Sequence, residues 1–168
     1  MSLSMYDASV TAFGPILQAL DAILDKAAAD ATARKIDPVV FLGYRLAPDM
    51  WALTRQVQIT CDFAKNGTFR LAGIEPPKVE DTETSIPELK ARIAKTLELI
   101  KGFKPEQIDG SEDRDITIPI GGQPTVFKGK RYLVHFVLPN FHFHATAAYA
   151  ILRHCGVSLN KRDFLGTF

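Results

Sequence analysis

The residues best suited to metal or acid–base chemistry are four histidines, His135, His142, His144 and His154, all in the last third of the chain. A histidine can bind a divalent metal or move a proton near neutral pH because its ordinary pKa lies close to 6.5. His142 and His144 are two residues apart, which places them about 200° apart on an ideal helix. These two side chains therefore cannot bind one ion unless the helix is broken between them.

A mixed ligand set of His135, His144 and the carboxylate of Asp62 is one hypothesis for a metal site. Zinc accepts nitrogen and oxygen ligands together, and a catalytic site keeps one position open for water. Zinc or nickel would be the ion. The alternative is that the two histidines are half-buried polar groups that each have a hydrogen-bond partner. His154 has a simpler explanation, because a cation near a helix C-terminus interacts favourably with the exposed carbonyls.

A second polar group is a candidate floor for a small-molecule pocket. Arg55 and Asp62 are seven residues apart and share one helical face, with Asp49 preceding them. Asn140 and His144 would face them from the last helical segment. Helical bundles keep their ligand sites among inward-pointing polar side chains. The alternative is a solvated face or a structural ion-pair network.

The two cysteines, Cys61 and Cys155, form no C-x-x-C motif. Both fall within predicted helices, where a free cysteine usually acts as a small buried hydrophobic residue. This usage fits a reducing cytoplasm. The chain contains no glycine-rich phosphate loop, no G-x-S-x-G motif and no H-E-x-x-H motif.

The composition is that of an ordinary globular protein of 168 residues, with 46% hydrophobic and 23% charged residues. The formal net charge is only +1, which argues against binding to nucleic acid or to an acidic membrane surface. The N-terminus has no basic region followed by an apolar run, so no signal peptide is expected. No segment has the apolar length of a membrane span. We therefore expect a soluble, cytoplasmic protein.

Apolar residues recur at helical spacing in four long segments, and we expect one domain over residues 1–168. Pro15 should kink the first segment or divide it into two helices. The Pro139-Asn140 pair should kink or break the fourth, where Asn140 is able to cap the second half. Ser85 and Glu88 form a capping box at the start of the third. The four segments are about 4–33, 47–73, 85–102 and 130–155, and a short helical turn is expected at 39–44.

The periodicity changes between residues 115 and 128. Apolar and polar residues alternate there on both sides of Gly121-Gly122, which predicts a two-stranded β-hairpin. The fold class is therefore all-α, a four-helix bundle with a short hairpin before the last helix.

Several motifs resemble an uncharacterised bacterial family within the DinB/YfiT-like superfamily. Together they span nearly the whole chain. They are the opening Met-Ser-Leu-Ser-Met-Tyr-Asp-Ala-Ser-Val at 1–10, Leu-Ala-Pro-Asp-Met-Trp at 46–51, Thr-Arg-Gln-Val-Gln at 54–58, Cys-Asp-Phe-Ala-Lys at 61–65, Asp-Thr-Glu at 81–83, Asp-Gly-Ser-Glu-Asp-Arg at 109–114, Phe-His-Phe-His at 141–144 and Ala-Tyr-Ala-Ile-Leu-Arg at 148–153.

The resemblance implies a four-helix bundle and often a homodimer. Members of the wider superfamily typically hold a divalent metal with three histidines, one from the second long helix and two from the fourth. Some resemble metal-dependent hydrolases or thiol transferases. The present chain has no histidine in its second helix, where Ile59 and Thr60 stand at the expected position.

We favour a protein that binds a small molecule between the second and fourth long helices, and leave open whether it catalyses a reaction. One alternative is a metal-dependent hydrolase or thiol transferase with a degenerate histidine site. The other is a structural homodimer without catalysis.

Overall fold

Four long helical segments and one β-hairpin make up the computed structural model, which describes residues 3–166. The bundle and the hairpin before the last long segment are confirmed. The helices and strands are α1 Ala12–Arg34, α2 Val39–Leu42, α3 Leu53–Leu71, α4 Ile86–Lys101, α5 Pro105–Ile108, β1 Asp115–Ile120, β2 Gln123–Lys128, α6 Gly129–Tyr132, α7 Leu138–His154 and α8 Lys161–Leu165.

Helix α3 lies between α4 and α7, and α1 packs against the same two helices from the opposite side of the core. The interior contains mostly aliphatic side chains with a few aromatic rings. Phe13 of α1 and Phe141 of α7 are both fully buried, with ring centroids 4.8 Å apart. The four apolar stripes therefore close around one shared core, as expected for a bundle. No helix within residues 3–166 is long and apolar enough to cross a membrane.

The first segment stays helical through Pro15, although a kink or a break was expected there. A π-helical turn at Asp7–Thr11 precedes α1 directly, and Pro15 lies in the first turn of α1. Because the π-helical turn runs directly into α1, Pro15 lies inside a continuous helical segment, and its missing amide falls close to the point where the hydrogen bonds change from the π to the α pattern. The irregularity thus falls just before the proline.

Helix α3 begins later than its sequence pattern indicates. Residues 47–50 form a turn, and Ala52 has the extended backbone of an N-cap residue before Leu53. Trp51, which falls inside the predicted range 47–73 of the second segment, lies outside the helix and is 61% exposed. That placement was wrong.

The Ser85 cap and the hairpin turn are confirmed, but the capping box is only half formed, because the Glu88 carboxylate accepts from the Thr84 amide rather than from the Ser85 amide. The Ser85 hydroxyl accepts a hydrogen bond from the Glu88 amide at 3.3 Å, so Ser85 caps α4. Strands β1 and β2 pair antiparallel around Gly121 and Gly122. Both glycines have positive φ angles, 57° and 80°, which a type I′ turn requires at its two central positions.

The fourth segment is continuous rather than broken at Pro139. A π-helical turn at Leu133–Val137 joins α6 to α7, and Pro139 lies in the first turn of α7. Asn140 does not cap a new helix. Its amide instead donates to the Phe136 carbonyl at 2.7 Å, so it bonds back into the preceding turn. The two short helices α5 and α8 were not predicted.

Gly129, the first residue of α6, packs closely against the backbone of Ser111. A Cβ atom at this position would lie 3.0 Å from the carbonyl carbon of Ser111 and closer still to the carbonyl oxygen. Backbone atoms of a packed loop cannot move away cheaply. We expect Gly129→Ala to lower the free energy of unfolding by about 2–3 kcal/mol, measured by urea denaturation.

Gly14→Ala is the matched control, because a Cβ atom at Gly14 in α1 meets no atom within 4 Å. This variant should be as stable as the parent chain or more stable by up to about 1 kcal/mol, since alanine favours a helix. Equal free energies for the two variants would contradict the close contact at Gly129.

Candidate functional site

His144 of α7 and Gln56 of α3 form a side-chain pair across the bundle. The Nδ1 atom of His144 lies 2.7 Å from Oε1 of Gln56. His144 is only 9% exposed and Gln56 is 1% exposed. Because the two residues are 88 positions apart in the chain, this hydrogen bond joins the second long helix to the fourth.

The orientation of the Gln56 amide determines which nitrogen of His144 carries the proton. The Nε2 group of Gln56 donates to the Trp51 carbonyl at 3.0 Å, so Oε1 must face the histidine. A carbonyl oxygen only accepts hydrogen bonds. His144 therefore donates through Nδ1–H, and in its neutral form Nε2 carries a lone pair.

The Nε2 atom of His144 makes no hydrogen bond to any residue from 3 to 166. Over the same residues, the Ser111 hydroxyl is the only side-chain polar atom that is both fully buried and without a partner. The unpaired Nε2 must therefore be open to solvent. Burial, and then the positive charge of Arg55, lower the pKa of His144 below its usual 6.5. At neutral pH this atom is a hydrogen-bond acceptor.

Next to the Phe63 ring lies a groove between α3, strand β1 and the fourth segment, which we call the α3 groove; His144 contacts Phe63 but is not itself among the residues that line its cavity. The Phe63 ring stacks nearly parallel to the His144 imidazole with centroids 6.0 Å apart, and it meets Phe136 edge-on at 5.6 Å. Phe63 and Phe136 also line a cavity of about 190 Å³. The remaining lining residues are Asp62, Asn66, Arg70, Ile118 and Pro119.

On the side of α3 that faces α4, a buried arginine joins α3, α4 and the loop of residues 72–85, which we call the α3–α4 loop. Arg92 of α4 has a side chain only 3% exposed. Its guanidinium contacts Asp62 of α3 at 3.0 Å. From the loop it contacts Asp81 at 3.0 Å and Glu83 at 2.9 Å, together with the Glu80 carbonyl at 3.1 Å. A buried charge requires such partners.

Glu83 is the most buried carboxylate of this cluster. Burial alone would raise its pKa, but hydrogen bonds from Arg92 and Gln58 outweigh burial and hold the pKa below 4.5. Gln58 also accepts a hydrogen bond from Arg55 at 3.3 Å, and Arg55 forms an ion pair with Asp81. The charges of the cluster are thus paired with one another.

The structure brings together some of the predicted pocket residues. Arg55 lies close enough to His144 to lower the pKa of the histidine. Asp62 lines the α3 groove but is held by Arg92 and by Lys65, the latter at 3.3 Å. Asn140, four residues before His144, uses its amide on the Phe136 carbonyl. Asp49 lies exposed in the turn before α3, away from the groove.

The proposed metal ligands are not brought together. Over residues 3–166, no three His, Cys, Asp or Glu side chains lie close enough to hold one ion. His135 is exposed and lines a surface depression with Lys128 and Arg131, whereas His144 faces α3. Nine residues separate the two histidines, which is two and a half turns of an ideal helix. They therefore point to opposite sides of the segment.

A three-histidine metal centre, as the wider superfamily typically has, does not fit this donor set. The position across from His144 on α3 is taken by Gln56, whose amide is already fixed by Trp51. The nearest carboxylate of the groove, Asp62, is neutralised by Arg92. One imidazole and one engaged amide are fewer ligands than a divalent zinc site needs.

Neither cysteine has the properties of a nucleophile. Burial raises the pKa of the Cys61 thiol to about 12, although a hydrogen bond with Thr96 and the Arg92 charge oppose that effect. Burial also raises the pKa of Cys155, against the opposing charge of Arg34. Both thiols are therefore protonated at neutral pH, whereas thiol chemistry needs the thiolate.

Sequence reasoning missed three residues of this region. Gln56 and Phe63 were considered only as members of the motifs at 54–58 and 61–65, and Arg92 was overlooked. A signal for Arg92 was present, because it lies three residues after Leu89 and four before Thr96 on the buried face of α4. No such local signal exists for the pairing of Gln56 with His144.

The assigned tautomer gives a direct prediction for ¹⁵N NMR of the histidine rings. We expect His144 to be neutral at pH 7, with its proton on Nδ1. The folded state favours the neutral ring of His144, so this preference adds to the free energy of unfolding. The contribution is complete above the pKa of the unfolded state, near 6.5. That contribution is lost as the pH falls through the lowered folded pKa.

Gln56→Glu tests whether the neutral amide of Gln56 helps to keep His144 uncharged. A carboxylate at this position would stabilise the imidazolium and raise the pKa of His144. His142→Gln is the control, since His142 is exposed on another face of α7 and its loss should leave the His144 resonances unchanged. A proton on Nε2 of His144 in the parent chain would refute the assigned orientation of Gln56.

Comparison with known proteins gives the family of the chain. The family model described as "Domain of unknown function (DUF1993)" matches residues 5–165. A DinB family member protein from Shewanella denitrificans, known from its crystal structure, is 42% identical. The match covers 97% of this chain and 92% of that one, with a TM-score of 0.89. No curated protein matches. The chain therefore belongs to the DUF1993 family and has a DinB-like fold.

Proposed function

We propose that this protein binds a small molecule in the α3 groove, with Nε2 of His144 accepting a hydrogen bond from the ligand. The observation that carries the proposal is the chain of contacts from the Trp51 carbonyl through Gln56 to His144. This chain fixes the ring and leaves one lone pair facing solvent. A fixed acceptor loses little conformational entropy when a ligand binds to it.

The lining of the α3 groove supports the same proposal. Phe63, Phe136, Ile118 and Pro119 provide apolar walls, with few polar groups among them. Small-molecule sites usually combine such walls with a small number of placed polar groups that set the orientation of the ligand. The cavity volume of about 190 Å³ favours a compact ligand.

The proposal concerns binding and involves no chemical step. His144 can accept a hydrogen bond or a proton, but the thiols are protonated and the metal ligands are dispersed. We also propose a cytoplasmic location, which is supported by the two free cysteines, since such thiols persist in a reducing compartment.

A thermal-shift screen of compact compounds with an O–H or N–H donor tests the proposal. A ligand at ten times its Kd stabilises the folded state by about 1.4 kcal/mol. For a domain of this size that corresponds to a rise in Tm of about 3–6 °C. We expect this rise in the parent chain and in His142→Ala, and its loss in His144→Ala. Equal shifts in the two variants would contradict the role of His144.

A second proposal, that the protein forms a homodimer, is favoured by an exposed apolar face on the outer side of α7. Trp51 and Phe143 are 61% and 57% exposed, and Leu46 is 42% exposed. Leu46 and Phe143 line a shallow depression with Met50 and Pro139. Contiguous exposed apolar groups are typical of interfaces, and two copies related by a twofold axis would each contribute the same surface.

Sedimentation analysis of Phe143→Lys checks this arrangement. The parent chain should have twice the 18.6 kDa mass of the monomer, and Phe143→Lys should have the monomer mass because a buried lysine is costly at an interface. Val126→Lys is the control, since Val126 is 60% exposed on the hairpin and its change should preserve the dimer. A monomeric parent chain would disprove the proposal.

A further inference from the structure

Arg70 of α3 is a cation of the α3 groove that has no acidic partner. It lines the cavity together with Phe63 and Phe136. Among the ion pairs formed within residues 3–166, none includes Arg70. The two other arginines near the groove, Arg55 and Arg92, are both paired with carboxylates. Arg70 is thus the groove cation still able to pair with an anion.

The Arg70 side chain is held in place by a fully buried tyrosine. Its Nη1 group donates to the Tyr132 hydroxyl at 3.2 Å, and Tyr132 is only 1% exposed. A guanidinium has five N–H donors in a planar fork. One bond to Tyr132 therefore orients the group and leaves enough donors for a bidentate contact with a carboxylate.

The one carboxylate that lines the same cavity does not oppose an anion at Arg70. Asp62 lies eight residues before Arg70 on α3, about 12 Å along the helix axis. Its charge is also compensated by Arg92 at 3.0 Å and Lys65 at 3.3 Å. The Arg70 end of the groove is consequently the electropositive end.

We propose that Arg70 is the anion-binding residue of the α3 groove and that the groove takes a small organic carboxylate with an apolar body. The carboxylate pairs with the guanidinium, and the body of the ligand lies against Phe63, Phe136 and Ile118. This inference rests on the proposed function, because it assigns the ligand class of the same groove.

The chemistry of the lining selects a carboxylate rather than a phosphate. A phosphate dianion is usually met by more than one cation or by several backbone amides, whereas this cavity offers a single unpaired cation between apolar walls. Its volume of about 190 Å³ is equivalent to roughly six water molecules. An acid of the size of benzoate is therefore a suitable probe.

The test is an NMR titration of the full ¹⁵N-labelled chain with benzoate, benzamide and inorganic phosphate. Benzamide has nearly the shape of benzoate but no charge. We expect benzoate to shift the amides of groove residues such as Phe63, Asn66 and Ile118, with benzamide binding at least about tenfold more weakly. Phosphate should bind more weakly than benzoate, and added salt should weaken benzoate binding.

Variants of the chain assign the effect to Arg70. Arg70→Gln should weaken benzoate binding at least about tenfold, and Arg70→Lys, which keeps the charge but not the fork, should lie between Arg70→Gln and the parent chain. Arg131→Gln is the matched control, because Arg131 is an exposed arginine that lines a different depression. This control should bind benzoate as the parent chain does.

Any one of four results would overturn the inference. They are equal binding of benzoate and benzamide, unchanged benzoate binding by Arg70→Gln and Arg70→Lys, tighter binding of phosphate than of benzoate, and absence of benzoate-induced shifts in the groove. His144→Ala separates the inference from the proposed function. Benzoate has no hydrogen-bond donor for Nε2 of His144, so benzoate binding should depend on Arg70 and not on His144, and loss of the dependence on Arg70 overturns the inference alone. Binding of neutral donors should depend on His144, and loss of that dependence overturns only the role that the proposed function gives to His144.

Discussion

The buried guanidinium of Arg92 is the interaction on which the arrangement around α3 depends. Removing a cation from water costs several kcal/mol unless it finds opposite charges and hydrogen-bond acceptors. Arg92 finds them on two separate parts of the chain, Asp62 of α3 and Asp81 and Glu83 of the α3–α4 loop. The guanidinium of Arg92 therefore keeps all of these partners only when α3, α4 and the loop are packed as they are in the structure. This requirement fixes the orientation of α3 about its axis.

That orientation separates two kinds of polar group on one helix. On the face toward α4 and the loop, the charges of Asp62 and Lys65 are paired at 3.3 Å, and Arg92 completes the pairing. On the face toward the fourth segment, Gln56 positions His144 of α7, and Arg70 bonds to Tyr132 of α6 and enters no ion pair within residues 3–166. Charges that are paired within the protein stabilise the fold, but they attract a charged ligand only weakly because their partners cancel most of their field. The polar groups of α3 that are not compensated by ion pairs therefore face the fourth segment, although its most charged residues face α4 and the loop.

The sequence predicted those features that depend on nearby residues. Helical periodicity, the Ser85 cap and the Gly121-Gly122 turn are local, and the structure confirms them. The π-helical turns at Asp7–Thr11 and Leu133–Val137 were missed. A proline in the sequence indicates that a helical hydrogen bond is lost, but it does not indicate which hydrogen-bond pattern replaces it. The pairing of Gln56 with His144 depends on how two distant helices dock, which no local pattern contains. The partners of Arg92 come from a loop without periodicity, so even a correct assignment of Arg92 to the buried face would not have identified them.

The choice of a glutamine as the partner of His144 defines what this histidine can do. A carboxylate in place of Gln56 would stabilise the imidazolium and raise the pKa of the ring, which suits a residue that carries a proton at neutral pH. The neutral amide fixes the ring orientation equally well without that charge, while burial and the Arg55 cation lower the pKa. The result is an imidazole that stays neutral and oriented, with its lone pair available at physiological pH. Such a group is suited to accept a hydrogen bond from a ligand, and poorly suited to act as a general acid.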